Sequence, residues 1–125
     1  MKYISIGAIF FASFSWAKPL YPWEWLEQDA FYHSYQLLLK GHRYSDWVYS
    51  LSGPASKNRV ISIENKEWQV ILSCKPHDCK NKNVSIFYNT KTNEMYALIC
   101  DGDKTFVGHP SELIQEELFV MRGNK

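Results

Sequence analysis

Four residues separate Cys74 from Cys79, and three of them, Lys75, His77 and Asp78, are charged or ionisable; the fourth is Pro76. A disulfide across so short a spacer closes a compact loop and removes about 2 kcal/mol of unfolded-state freedom in the chain-entropy treatment. Pro76 fixes a further backbone dihedral. His77 has no apolar neighbour in this loop to pack on, so a displayed imidazole is expected. Such a ring has two nitrogens on opposite edges, and as imidazolium both donate. Side chains held on a stiff base lose little freedom on docking, which suits a protruding plug. A metal set of Cys74, His77 and Cys79 is the competing chemistry, but an oxidised pair offers no thiolates.

The remaining chemistry-bearing residues form no enzyme pattern. His33, His42 and His109 accompany several acids, yet the chain holds no Gly-x-Ser-x-Gly, His-Glu-x-x-His or Cys-x-x-Cys. We therefore expect a protein that is not an enzyme and needs no cofactor or metal. Asp101-Gly102-Asp103 reads as a hairpin turn, because the other ligand positions of a calcium loop are missing. Asn83-Val84-Ser85 matches a glycosylation sequon but opens an expected strand.

The elements that must hold the loop can be read on either side of it. Pro19 and Pro22 delay helix formation. From Trp23 to Lys40 the spacing predicts a helix with Trp23, Leu26, Ala30, Tyr35, Leu37 and Leu38 as its apolar band, and Gly41 stands where a left-handed cap is wanted. Residues 44–52 fit no single period, although Trp47 and Val48 should pin them to the core. From Arg59 onward the period becomes two. Ile61 and Ile63 mark one strand, and Asn65-Lys66 a tight turn. Trp68, Val70 and Leu72 mark the second, and Val84, Ile86 and Tyr88 the third. Met95 to Cys100 returns as the fourth after a turn over Asn89–Asn93, and Asp101-Gly102 leads into a fifth over Thr105–Val107. Pro110 suits the first position of a short closing helix burying Leu113, Ile114 and Leu118. The fold class is α+β: a meander of about five antiparallel strands, with an N-terminal helix and a short C-terminal helix on one side. The cysteine loop then projects from one end of the sheet, where binding loops commonly sit.

Length and charge restrict the rest. The chain has 125 residues, of which 46% are hydrophobic and 16% aromatic, enough for one packed domain. Lys2, the apolar run Ile4 to Phe14 and Ser15-Trp16-Ala17 read as an export signal over residues 1–17, leaving a single domain over 18–125. The run is too short to span a membrane, which needs about 20 residues, and no cysteine follows it for a lipid anchor. Fourteen basic residues less Lys2 leave thirteen in the mature chain, against thirteen acidic ones. With no basic stripe, nucleic-acid binding is not expected. Export allows disulfides to persist. Of three cysteines, Cys100 is left over, either as a buried thiol on a strand or as a bridge to a second copy in a homodimer.

The run Cys74-Lys75-Pro76-His77-Asp78-Cys79 resembles the signature loop of the inhibitor of vertebrate lysozyme (Ivy) family. Gly41-His42 followed by Trp47-Val48, Trp68-Gln69-Val70 before the loop, the two strands after it and the Pro110-Ser111 helix start are similar in order and spacing. The similarity covers roughly Phe31 to Leu118. It implies a periplasmic protein that inhibits c-type lysozymes, protecting peptidoglycan against host defence. It also implies that the loop enters the lysozyme cleft and that His77 contacts the catalytic carboxylates. A retaining glycosidase places two carboxyl groups about 5 Å apart, and one imidazolium can serve both through charge-assisted bonds. Asp78 is expected either to orient the loop backbone or to meet a basic residue on the cleft wall, and Lys75 to stay solvated. Further contacts are expected near Lys80–Asn83 or Asp101–Lys104, since six residues supply only part of a stable interface. The alternative reading is a periplasmic binding module for the cell's own lytic transglycosylases, which also cleave peptidoglycan with a catalytic carboxylate.

Overall fold

The computed structural model describes residues 18–123; the expected export signal lies outside them. Helices α1 (Pro22–Trp25), α2 (Asp29–Leu39) and α3 (Asp46–Ser50) come first. Strands β1 (Arg59–Ile63), β2 (Lys66–Cys74), β3 (Asn83–Tyr88), β4 (Met95–Asp101) and β5 (Asp103–Val107) follow, and α4 (Glu112–Gly123) closes the order. The five strands form one antiparallel meander in sequence order, as the period-two pattern implies. A two-residue turn and a one-residue turn set its first and last hairpins. Glu64 and Asn65 both take positive φ between Ile63 and Lys66, and Gly102, at φ 96°, turns the chain between the paired Asp101 and Asp103.

The two expected terminal helices do not share a side. Val84, Ile86 and Tyr88 of β3 face Phe31, Tyr35, Leu39, Trp47 and Val48 of the first three helices. Phe87, Leu98 and Cys100 point the other way, beneath Ile114 and Leu118 of α4. The class and strand order stand, but α4 covers the opposite face and makes three layers. All six residues of β3 are buried, and a central strand covered on both faces loses the clean apolar–polar alternation of a half-exposed one.

Two helical expectations also change in detail. The helix over Trp23–Lys40 is broken at 26–28. On an unbroken helix Trp25 and Phe31 would point about 120° apart round the axis, whereas the break lets both reach Tyr88, at ring separations of 5.8 and 5.1 Å. Phe31, Tyr35 and Leu39 are the buried positions of α2, and Leu37 is exposed. Gly41 takes the expected positive φ of 87° after that helix. The ambiguous segment becomes α3, with Trp47 and Val48 buried. Tyr35 joins the two helices by donating to the Val48 carbonyl at 2.7 Å, and its burial pushes the phenol well above its ordinary pKa.

At the other end, α4 runs twelve residues and starts after Pro110 rather than on it. The Ser111 hydroxyl accepts the Ile114 N–H at 3.3 Å, an N-terminal cap. Ile114, Leu118 and Met121 carry the packing stripe, which leaves Leu113 40% exposed instead of buried. Leu118 is fully buried against the sheet. Leu118→Ala should cost about 2–5 kcal/mol, read from urea unfolding, and should release α4 before the helices on the far face.

Candidate functional site

The end of the sheet at Cys74, Asn83 and Cys100 is where the chain builds its most constrained exposed feature. These three residues stand in register across β2, β3 and β4. Beyond Cys74 the chain leaves the ladder with one more pairing, the Lys75 N–H on the Lys82 carbonyl at 3.0 Å. It then reverses in a tight turn closed by the Asp78 N–H on the Lys75 carbonyl, also at 3.0 Å. Pro76 and His77 are the two central residues, and His77 has φ 70°. Proline followed by a positive φ is the pattern of a type II turn, whose second central position ordinarily takes Gly or Asn. The disulfide between Cys74 and Cys79 spans the base, with their Cα atoms 4.9 Å apart.

The loop residues divide by role. Lys75, Pro76 and His77 are exposed, and Asp78 and Cys79 partly so. Among the described residues the His77 ring has no hydrogen-bond or ion-pair partner. Asp78 makes contacts within the loop. Its side chain accepts the Asn81 amide at 3.1 Å, and its carbonyl accepts the Lys82 N–H at 2.9 Å. It thereby folds the exit of the loop back toward β3. Lys75 extends into solvent.

Residues with no chemistry of their own hold the base. Asn83, only 2% exposed, donates its amide to the carbonyls of Cys79 and Lys80, at 2.9 and 3.3 Å. Its place in a sequon is thus a place inside the protein. Gly53 lies against the Cys74 carbonyl so closely that a Cβ there would collide with it. Neither contact was visible in the residue order; the Ser52-Gly53-Pro54 run marks a turn but not what the turn touches.

Asp101 ties this end of the sheet to the helical layer. Its carboxylate accepts the Ser45 N–H at 2.8 Å, the Ser45 hydroxyl at 3.0 Å and the Trp47 indole at 3.3 Å. Lys82 lies 3.7 Å away, and the Asp101 side chain is 6% exposed. Burial pushes this carboxyl upward, but the Ser45 and Trp47 hydrogen bonds and the Lys82 charge outweigh it and hold the group below its usual value. Asp101, expected among the outward contacts, is therefore spent on the interior. Cys100 beside it is 5% exposed beneath α4, so a bridge through it to a second chain would require that helix to lift. Among the described residues no three His, Cys, Asp or Glu side chains stand close enough to hold a metal ion, and no helix is long and apolar enough to cross a membrane.

This geometry is that of a displayed, covalently braced turn, with one imidazole at its crest. The sequence model of a family described as inhibitor of vertebrate lysozyme (Ivy) matches residues 30–116, which include every residue of the turn and of its supports. The chain is 30% identical over 95 residues to the inhibitor of vertebrate lysozyme of Pseudomonas aeruginosa, covering 74% of this chain and 58% of that protein. It is 25% identical over 71 residues to the protein of that name from Escherichia coli K12, covering 57% and 45% respectively. The chain spans about half the length of the curated relatives it matches.

The Asp101 carboxyl gives a pH test. A carboxyl whose folded pKa lies below its unfolded value, about 3.9, stabilises the fold above that value, and the gain is lost as pH falls through the folded pKa. Asp101→Asn should lower stability at pH 7 by about 2 kcal/mol, the scale of a hydrogen-bonded charge. It should also flatten the acid limb of a stability–pH curve relative to the parent; an identical acid limb would show that Asp101 does not carry the linkage.

Proposed function

Because this chain belongs to the inhibitor of vertebrate lysozyme (Ivy) family, we propose that it is a periplasmic inhibitor of a c-type lysozyme whose plug is the turn Cys74–Cys79. The observation that carries this reading is the exposed His77 at the crest of a disulfide-closed turn. The ring enters the cleft and bonds to the two catalytic carboxyl groups. In a retaining glycosidase these stand about 5 Å apart with one protonated. An imidazolium spans such a pair by donating from both edges, and charge-assisted bonds in a water-poor cleft are stronger than neutral ones. Inhibition then needs no chemistry by the inhibitor, only occupation of the place where the sugar would be distorted.

The rigid base supports the same reading. A flexible hexapeptide would lose rotational freedom on entry, at a cost of about 0.5–1.5 kcal/mol for each ordered side chain. Here the disulfide, the Lys75–Lys82 pairing and the Asn83 amide have already fixed the backbone. Asp78 acts inside the loop, leaving His77 as the group that meets the enzyme. Export through residues 1–17 would deliver the mature chain to the compartment where lysozyme attacks the wall.

His77→Ala should leave the fold intact and weaken inhibition by at least about 2 kcal/mol, the scale of an interface hot spot. A cell-wall lysis assay with a c-type lysozyme reads this directly, with a lytic transglycosylase as the comparison enzyme. Equal potency of the two variants would remove His77 from the mechanism. Reduction of Cys74–Cys79 should lower potency before it unfolds the domain, because the packed sheet does not depend on that bond. Unchanged inhibition after reduction verified by thiol titration would sink the bracing argument.

A further inference from the structure

Strand β1 stops short of the strand it pairs with. Its first residue, Arg59, stands opposite Val70, so Ile71–Cys74 of β2 run on without a strand on that side. The Lys75 N–H points toward β3, where it meets Lys82, and the Cys74 carbonyl points the opposite way, at Gly53. Backbone groups alternate sides along a strand, so the N–H and C=O of Leu72 share the direction of Cys74 and face the gap. Among the described residues nothing pairs with them there. The gap is a groove of about 610 Å³ whose wall includes Leu72, Cys74, Cys79 and Ala55. Exposed Lys57 and Arg59 also line it. Ser73 also lies on this wall, its hydroxyl buried and, among the described residues, without a hydrogen-bond partner.

We infer that this groove receives an extended peptide segment of the enzyme held by the turn, one that carries a carboxylate side chain. The inference rests on the inhibitor reading above. Three observations support it. Cys74 and Cys79 belong both to the turn and to the groove wall, so the groove adjoins the turn that the partner would hold. A stable interface needs about 800 Å² from each side, more than a six-residue turn offers, and within the expected contact stretches 80–83 and 101–104 the side chains of Asn83 and Asp101 are turned inward. Finally, a covered groove with the Leu72 amide group unpaired would be unfavourable, and an extended segment pairing as a short added strand satisfies it. Lys57 and Arg59 supply the charge complement for an acidic side chain on that segment.

The test uses the mature protein and a purified c-type lysozyme, with affinity from titration calorimetry and amide exchange on the complex. Ala55→Trp fills the groove; Lys57→Glu with Arg59→Glu reverses its charge. Each should weaken binding by about tenfold or more with His77 intact, and the Leu72 amide should become protected in the parent complex. If the parent binds and inhibits while both variants bind within about twofold of it, the groove inference falls and the inhibitor reading stands. Weakening by charge reversal alone, with Ala55→Trp neutral and Leu72 unprotected, reduces the cations to steering and also overturns it. Should Ala55→Trp not fold, the charge variant and Leu72 protection decide together. A parent that neither binds nor inhibits overturns both readings.

Discussion

A positive φ at His77 is the constraint on which the display depends. Outside glycine such a conformation carries about 1–3 kcal/mol of strain, although histidine is among the residues that adopt it more readily. A free hexapeptide would relax out of it. Here the neighbours over-determine it: Pro76 sets the preceding dihedral, the Asp78 N–H closes the turn on Lys75, and the disulfide forbids the ends from parting. The strain is therefore borne by a covalent bond and a strand pairing rather than by the ring. His77 remains outward with no internal contact to surrender on binding.

That turn is only as rigid as the sheet end from which it rises. Burying β2, β3 and β4 on both faces leaves the central strands no freedom to splay, because a packed interior resists even small displacements. Two polar side chains then carry the stiffness outward. Asn83 donates to the carbonyls of Cys79 and Lys80, and Asp101 fastens α3 and Lys82 to the tip of β4. Both are polar groups placed inside a protein, where a hydrogen-bonded partner lost costs more than one never made. Their hydrogen bonds link the sheet end from α3 to the turn.

Much of this was legible in the residue order. The loop and its disulfide follow from spacing, the five strands from period two, and the turns from Gly102 and from the Asn65 and Asn93 positions. What was not legible depended on contacts between distant segments. The break between α1 and α2 exists because Trp25 and Phe31 both need Tyr88, and nothing within residues 23–40 encodes that. Alternation in β3 pointed to one buried face, since Ser85 and Phe87 disclose a second only when α4 is laid over them. Leu113 and Leu118 look alike in sequence, and only the register of α4 on the sheet separates an exposed leucine from a buried one. Asp101 misled for the same reason: a hairpin aspartate is normally solvated, and here Ser45, far away in sequence, arrives to bury it.

Charge bears on how the proposed inhibition would work. Residues 18–125 carry thirteen basic and thirteen acidic side chains, a formal balance that gives little long-range pull on an enzyme of either sign and an ordinary encounter rate. Affinity then has to reside in slow dissociation. Dissociation is slow when the bound state makes contacts that the free state has already arranged, because no loop re-ordering is recovered on leaving. In the proposed complex the braced turn would provide that condition at the cleft, and the groove beside it, lined by the same two cysteines, would extend it to a second segment. On the proposed reading, a chain with balanced charge gains more from a stiff sheet end than from added surface charge, and the hydrogen bonds of Asn83 and Asp101 would bear on binding through that stiffness rather than through contact.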